Sequence, residues 1–425
     1  MKKTKLLVLL LLVPALIYAG GSSERDENVT TVTVWHSNSG LLEDAFNHLV
    51  EEFNDSHDDI KINAVYQGAA NDVLTSVNAA ALAGTGLPDI AQLDATAGLD
   101  MMYAPYLVTV EELGVDTSEL IPSAYAAYDS RRGHIGVPFN ASSLLFYYNA
   151  DLFEEAGVEV PHTLEDFIKT APVIYEKTGV YAFSGVPTTY ELVSFLGSQN
   201  GGTFITDNRN GHDGVSTKVL FDENGTFRTF LDKWKALYDT GAVNNLTSGV
   251  SSAFYAGGCA SMLASSSNLS TALENTEGLF TLGVAYVPMV DEKATGGVNI
   301  GGGCLAAFNN RAEVKEVMEF MISSSSQAYW AENTGYMPVN ANTIESDAWQ
   351  AFIAENPLYS VALEQALSSN ESVIGLWIPS AYQVYYSFQS TIASVLAGEM
   401  SIDDAVSFMA DMINTNLKEY ARQNG

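Results

Sequence analysis

The sequence predicts an α/β protein built as two lobes, each a mainly parallel sheet flanked by helices, with crossover strands between them. Three observations carry this. From Thr31 to Asp94, runs of period two alternate with runs of period 3.6, the βαβαβ rhythm of a parallel sheet covered on both faces. Two later stretches, "HIGVPFNASSLLFYYN" and "LGVAYVPM", read as strand with no helix to return the chain to the same sheet. The length of 425 residues, 47% hydrophobic, is enough for two cores of ordinary size.

In chain order, Val32 and Val34 alternate with threonines and run into Trp35-His36, which makes the first strand. Leu41, Leu42, Ala45, Phe46, Leu49, Val50 and Phe53 recur at helical spacing, with Glu43 and Asp44 in the first turn, where they favour the positive end of the dipole. Ile60, Ile62, Ala64 and Tyr66 alternate as a second strand. A helix over 73–83 follows, and "LPDIAQLD" is a short buried strand behind Pro88. His134 to Phe139 forms a strand, Asn-Ala-Ser-Ser a polar break, and an apolar strand restarts at Leu144. Thr163 is placed to cap a helix. Phe227, Phe230, Leu231, Trp234, Leu237 and Tyr238 form a helical stripe ended by Gly241. "CASMLAS" is a strand, and the last hundred or so residues are mainly helical.

The amino terminus reads as a secretory signal over 1–19: Lys2, Lys3 and Lys5, then an apolar run from Leu6 to Tyr18, then Ala19 for cleavage. Residues 20–28 form a loose mature terminus, and no cysteine stands there to take a lipid. The expected location is periplasmic. A formal charge of −32 sets the chain against nucleic acid and anionic lipid. The two cysteines, Cys259 and Cys304, are expected as buried thiols.

Enzymatic motifs are missing. There is no G-x-S-x-G, HExxH, Walker loop, CxxC or zinc spacing, so no catalytic residue, metal or cofactor is expected. "IGGGCLAAF" contains G-x-G-x-x-A, but strand-like residues follow, which points to close backbone approach rather than a dinucleotide. "DNRNGHDG" (Asp207 to Gly214) lacks the bidentate glutamate of a calcium loop and reads as a polar surface turn. Trp35-His36 has no relay partner, so the pair marks the carboxyl end of the first strand, where open α/β sheets place a crevice. His36 becomes a candidate wall of that crevice. Between Lys315 and Lys418 there is no Lys, Arg or His, while Trp330, Tyr336, Trp349, Trp377, Tyr382, Tyr385 and Tyr386 are all present. Such a segment suits sugar faces or a quaternary ammonium better than a bare anion.

The stretches "VWHSNSG", "YQGAANDVL", "VPFNASSLLFYYNADLF", "FYAGGCASMLASSSNL", "IGGGCLAAF" and "NTGYMPVN", in this order, resemble the extracellular solute-binding proteins of ABC importers. The similar cluster is the one with maltose-binding and glycerol-3-phosphate-binding members, the latter type being the nearer. The resemblance covers nearly the whole mature chain. It implies the two-lobed periplasmic-binding-protein fold of type II, closing on a solute and then docking on permease subunits, as a monomer. Lobe one would be 29–138 with 288–337, and lobe two 139–287 with 338–425.

By position, the resemblance implies ligand contacts at Ser142, Ser265, Gly302 and Tyr336, and Tyr385 stands at a further one; Asp94, Trp330, Trp377 and Tyr382 are additional candidates for the cleft. The chain departs from the pattern at Ala70, at Ala95 and at Tyr385, which stands where the family's phosphate-holding arginine is expected. A buried phosphate dianion without that arginine would cost several kcal/mol. A neutral sugar or polyol, or a glycerophosphodiester with a cationic head, is therefore expected over glycerol 3-phosphate itself. The rival reading is a secreted carbohydrate-active hydrolase using paired carboxylates.

Overall fold

The first sheet grows from the amino-terminal strand that the threonine–valine alternation sets up. A computed structural model describes residues 29–294, 297–370 and 372–424. The expected signal (1–19) and mature terminus (20–28) lie outside the described residues. The strands among those described are β1 (Thr30–His36), β2 (Ile60–Tyr66), β3 (Ile90–Asp94), β4 (Val137–Ser142), β5 (Leu144–Asn149), β6 (Phe183–Ser184), β7 (Val243–Asn244), β8 (Ser261–Ser265), β9 (Leu282–Ala285) and β10 (Gly301–Ala307).

Sheet one has the order β2-β1-β3-β10-β4, with β1 parallel to β2 and β3, and β10 antiparallel to β3 and β4. In the second sheet β5 lies antiparallel between β8 and β9. A parallel bridge from Tyr181 to Cys259 carries that sheet on to the parallel β6–β7 pair. Each sheet thus runs one way except for the strand that has just crossed from the other lobe, β10 in the first and β5 in the second.

Local chemistry explains the flanking helices. Leu41–Ser56 starts at Gly40 in a left-handed conformation and buries Phe46, Leu49, Val50 and Phe53. Ala70–Ala83 is entered through Asp72, whose carboxylate accepts from the Ala69 N–H at 2.9 Å, and stops at left-handed Gly84. Leu164–Thr178 has a reciprocal cap between Thr163 and Asp166.

Two apolar clusters cover the faces of sheet one, one around Val32, Val34, Phe46 and Phe139, the other around Val73, Val77, Leu93 and Trp377. A third fills lobe two around Phe146, Phe167, Phe195 and Trp234. Strand β5 is apolar throughout because it is buried on both faces: Leu144 and Phe146 join the third cluster, Leu145 and Tyr147 the first.

The polar break expected at Asn140–Ser143 is shorter than anticipated. Gly301, Gly302 and Gly303 pair with Ser142, Ala141 and Asn140, so β4 runs on through these polar residues and only Ser143 separates it from β5. Ladder pairing satisfies the backbone there, which outweighs side-chain polarity. Ser143 Oγ donates to Ala362 O at 3.2 Å. Fully buried Gln365 donates to Leu144 O at 2.6 Å and accepts from the Val287 N–H at 2.8 Å. Both crossings are therefore tied to the Ser360–Leu367 helix. Cys259 and Cys304 are buried free thiols; burial pushes Cys259 up to about 11 and Cys304 further. No helix among the described residues is long and apolar enough to cross a membrane.

Candidate functional site

Where the two sheets meet, a cavity of about 210 Å³ lies at the carboxyl end of β3. Sheet one supplies Asp94, Ala95 and Thr96 from β3 and the turn after it, and Gly301 and Gly302 from the start of β10. Lobe two supplies Tyr190 and Val193 from the Thr189–Gly197 helix, and Tyr382 and Tyr385 from the first turns of the Ala381–Leu396 helix. Gly375, Leu376 and Asn299 complete the wall.

Asp94 is fixed at both oxygens. Oδ1 accepts from the Thr96 N–H at 3.0 Å and from the Thr96 hydroxyl, and Oδ2 accepts from the Tyr382 hydroxyl at 2.7 Å. The last bond spans the seam. Tyr382 and Tyr385 are three apart on one helical face, with ring centroids 6.3 Å apart. Burial, then the negative charge of Asp94, pushes both hydroxyls well above the ordinary tyrosine range. Glu191 adds to this at Tyr385.

Beside this end lies a hydroxyl-rich end. The Tyr190 hydroxyl faces Ser142 and Ser265, and the Tyr336 hydroxyl faces Asn140 and Ser267. Tyr190 Oη and Asn140 Oδ1 are buried with only the neutral hydroxyls of Ser142, Ser265 and Tyr336 close by, an arrangement that suits a polar solute. Tyr336 is stacked on Trp330 at 5.6 Å and 17°. Gly302 has φ +91°, and a Cβ there would stand 1.7 Å from Asn140 O; at Gly301 it would stand 2.5 Å from the Tyr190 ring. The G-x-G run is thus a close passage of backbone, as its strand-like sequel implies.

Asp94, Gly302 and Tyr385 line the cavity, and Ser142, Ser265 and Tyr336 cluster beside it around Tyr190. His36 and Trp377 do not line it. His36 shares the inward face of β1 with Val32 and Val34, is 2% exposed, and packs between Phe46 (4.9 Å) and Tyr66 (5.9 Å). Its burial lowers its pKa. The polar residues after it serve Gln92 of β3, whose amide bonds the Ser37 N–H and Asn38 Oδ1 at 3.0 Å each.

Trp377 is fully buried one layer behind the cavity wall. Its indole fills the space over Gly98, where a Cβ would come within 2.0 Å, and stacks on His212 at 3.7 Å. A tryptophan with Gly98 and a histidine ring for neighbours packs rather than faces a solute.

Residues that sequence reasoning missed include Tyr190, Asn299 and Thr96. Tyr190 follows a Thr188–Glu191 capping pair, a local helix-start signal that says nothing about what the first turn faces. The Asp207–Gly214 stretch also differs from the surface turn expected. Asn210 and His212 are buried, and the loop reaches lobe one through Arg209–Asp129 at 3.2 Å and the Arg131 N–H to His212 O at 3.1 Å. No group of three metal-ligating side chains occurs among the described residues.

Comparison with known proteins agrees with this fold. The profile of the bacterial extracellular solute-binding protein family matches residues 48–357. The sn-glycerol-3-phosphate-binding periplasmic protein UgpB of Pectobacterium atrosepticum is 27% identical, over 96% of this chain and 94% of its own. Two solved structures share the fold. The GacH receptor of Streptomyces glaucescens, studied unliganded and with acarbose, superposes with a TM-score of 0.78 at 23% identity, over 92% of this chain and 99% of that one. UgpB of Mycobacterium tuberculosis, in complex with glycerophosphocholine, gives 0.77 at 21%, over the same shares. With a family match over most of its length and a seam cavity between two crossed-over sheets, this chain belongs to the bacterial extracellular solute-binding protein family.

Proposed function

We propose that the protein captures a small polyhydroxylated solute in the seam cavity and delivers it to the membrane subunits of an ABC importer. One observation carries this: groups from both lobes wall a single cavity, and the Asp94–Tyr382 hydrogen bond already spans it. A solute that touches both walls stabilises the closed arrangement because only that arrangement offers every contact. In this reading the lobes part at Ser143, the protein acts as a monomer in the periplasm, and it performs no chemistry on its cargo. Against the hydrolase reading, Asp94 is the one carboxylate among the residues lining the cavity, whereas glycoside hydrolysis by acid pairs needs two.

The solute would be a sugar, a polyol or a glycerophosphodiester. A bare glycerol 3-phosphate is the poorest fit, since no Lys, Arg or His lines the cavity to offset a dianion. A thermal-shift screen of the mature protein with maltose, glycerol, glycerol 3-phosphate and glycerophosphocholine tests this. A solute held at about 100 times its Kd adds about 2.7 kcal/mol of stability. Stabilisation by glycerol 3-phosphate alone would refute the argument from charge. Turnover of a chromogenic glycoside would refute solute capture.

A further inference from the structure

We infer that Asp94, Tyr382 and Tyr385 form a subsite for a positively charged nitrogen, so that the cargo carries an amine or a quaternary ammonium at one end and hydroxyls at the other. This rests on the solute-capture reading and adds a charge to it. Asp94 is a half-buried carboxylate held only by neutral donors, Thr96 and Tyr382, and it enters no ion pair among the described residues. The nearby charges acting on the tyrosines are carboxylates as well, Asp94 and Glu191 on Tyr385 and Glu191 on Tyr190.

The field inside the cavity is therefore negative, and two phenol rings stand beside the carboxylate. Ring faces attract cations through their quadrupole, more strongly where water is excluded, and a carboxylate in the same pocket adds a direct charge partner. A neutral solute can donate hydroxyl hydrogens to the carboxylate but leaves its charge unbalanced, and an anionic one would be repelled. The other end of the cavity holds the Tyr190 hydroxyl, with Ser142 and Ser265 beside it, which suits hydroxyl groups. The cavity is thus polarised along its length.

The test uses matched pairs that differ in the cation: D-glucosamine against D-glucose, choline against 3,3-dimethylbutan-1-ol, and glycerophosphoethanolamine against glycerophosphoglycerol. Titration calorimetry on the mature protein should show the cationic member of at least one pair binding tenfold or more tightly than its partner. That preference should shrink as salt is raised. Asp94→Asn should lower the affinity for the cationic member at least tenfold more than it lowers that for its cation-free partner. Should Asp94→Asn fold poorly, Tyr385→Leu should weaken the cationic member selectively. Equal or tighter binding of the cation-free members overturns the cation subsite while solute capture stands. Binding of none of the six compounds also counts against the subsite. Hydrolysis of a chromogenic glycoside overturns solute capture and the subsite together.

Discussion

At Gly302 the backbone sits at φ +91° with Asn140 O where a side chain would begin. Gly302→Ala must push β10 away from β4 at the cavity floor and adopt a conformation that L residues avoid. We expect a loss of ~1–3 kcal/mol in urea unfolding together with weakened solute binding. His212 makes a different kind of prediction. Its two ring nitrogens face carbonyl oxygens, Asp129 O at 2.9 Å and Gly375 O at 3.1 Å, so a neutral ring can donate to only one. Protonation would serve both, yet burial wins and pushes its pKa down from 6.5 to about 4. Below about pH 6.5 the unfolded chain takes up a proton that the folded chain refuses until about pH 4. The contribution of neutral His212 is therefore complete above pH 6.5 and falls away as the pH drops through that window, by ~3 kcal/mol in all. Unfolding free energies of the wild type and His212→Asn, measured from pH 7.5 to 4, should converge toward acid, because the carboxylates common to both cancel. A constant difference would refute this account.

Single elements acquire their roles from neighbours far along the chain. The Ser360–Leu367 helix looks unremarkable in sequence, yet Gln365 holds Leu144 O and the Val287 N–H, one group at each crossing. Gln365→Ala leaves both buried groups unpaired and should cost ~2–4 kcal/mol, read as a lower urea midpoint at unchanged slope. The loop at Asp207–Gly214 is the other case. Asn208, Arg209 and Asn210 are consecutive left-handed residues, a conformation that asparagine tolerates and arginine does not favour. The turn persists because Asn210 bonds the Ile205 and Thr206 N–H groups and Ile374 O, while the Trp377 N–H donates to Asn210 O. This composition looks like an exposed turn, but the tertiary partners bury it.

The two lobes are joined by two strand crossings, the clasp of the Asp207–Gly214 loop on Asp129 and Arg131, and the Asp94–Tyr382 hydrogen bond across the cavity. Removing only the last, in Tyr382→Phe, should shift the solute-free protein toward open forms. Small-angle scattering should then show a larger radius of gyration for the variant than for the wild type. An unchanged radius would mean that the clasp, the crossings and the Trp377 packing over Gly98 hold the seam without that bond. The charge of −32 keeps molecules apart in solution and, at low salt, works against compaction, so added salt should narrow the difference.

The sequence by itself determined the elements and their class. Val32-x-Val34, the Phe46–Phe53 stripe and the Thr163 cap are local or periodic signals, and each became the strand or helix it implied. It also marked the close backbone passage at Gly301–Gly303 and the aromatic, cation-free carboxyl segment. It left open which polar and aromatic side chains share a cavity, because that depends on facing directions set by distant partners. Tyr382 meets Asp94 and Tyr190 faces Ser142 and Ser265 only once β5 and β10 have crossed between the two sheets. For the same reason His36 and Trp377, plausible by position, are packing residues: the face of β1 and the space above Gly98 were already taken by the core. Local signals specify elements because they act over a few residues. A binding site joins residues hundreds of positions apart, and only the tertiary fold brings them together.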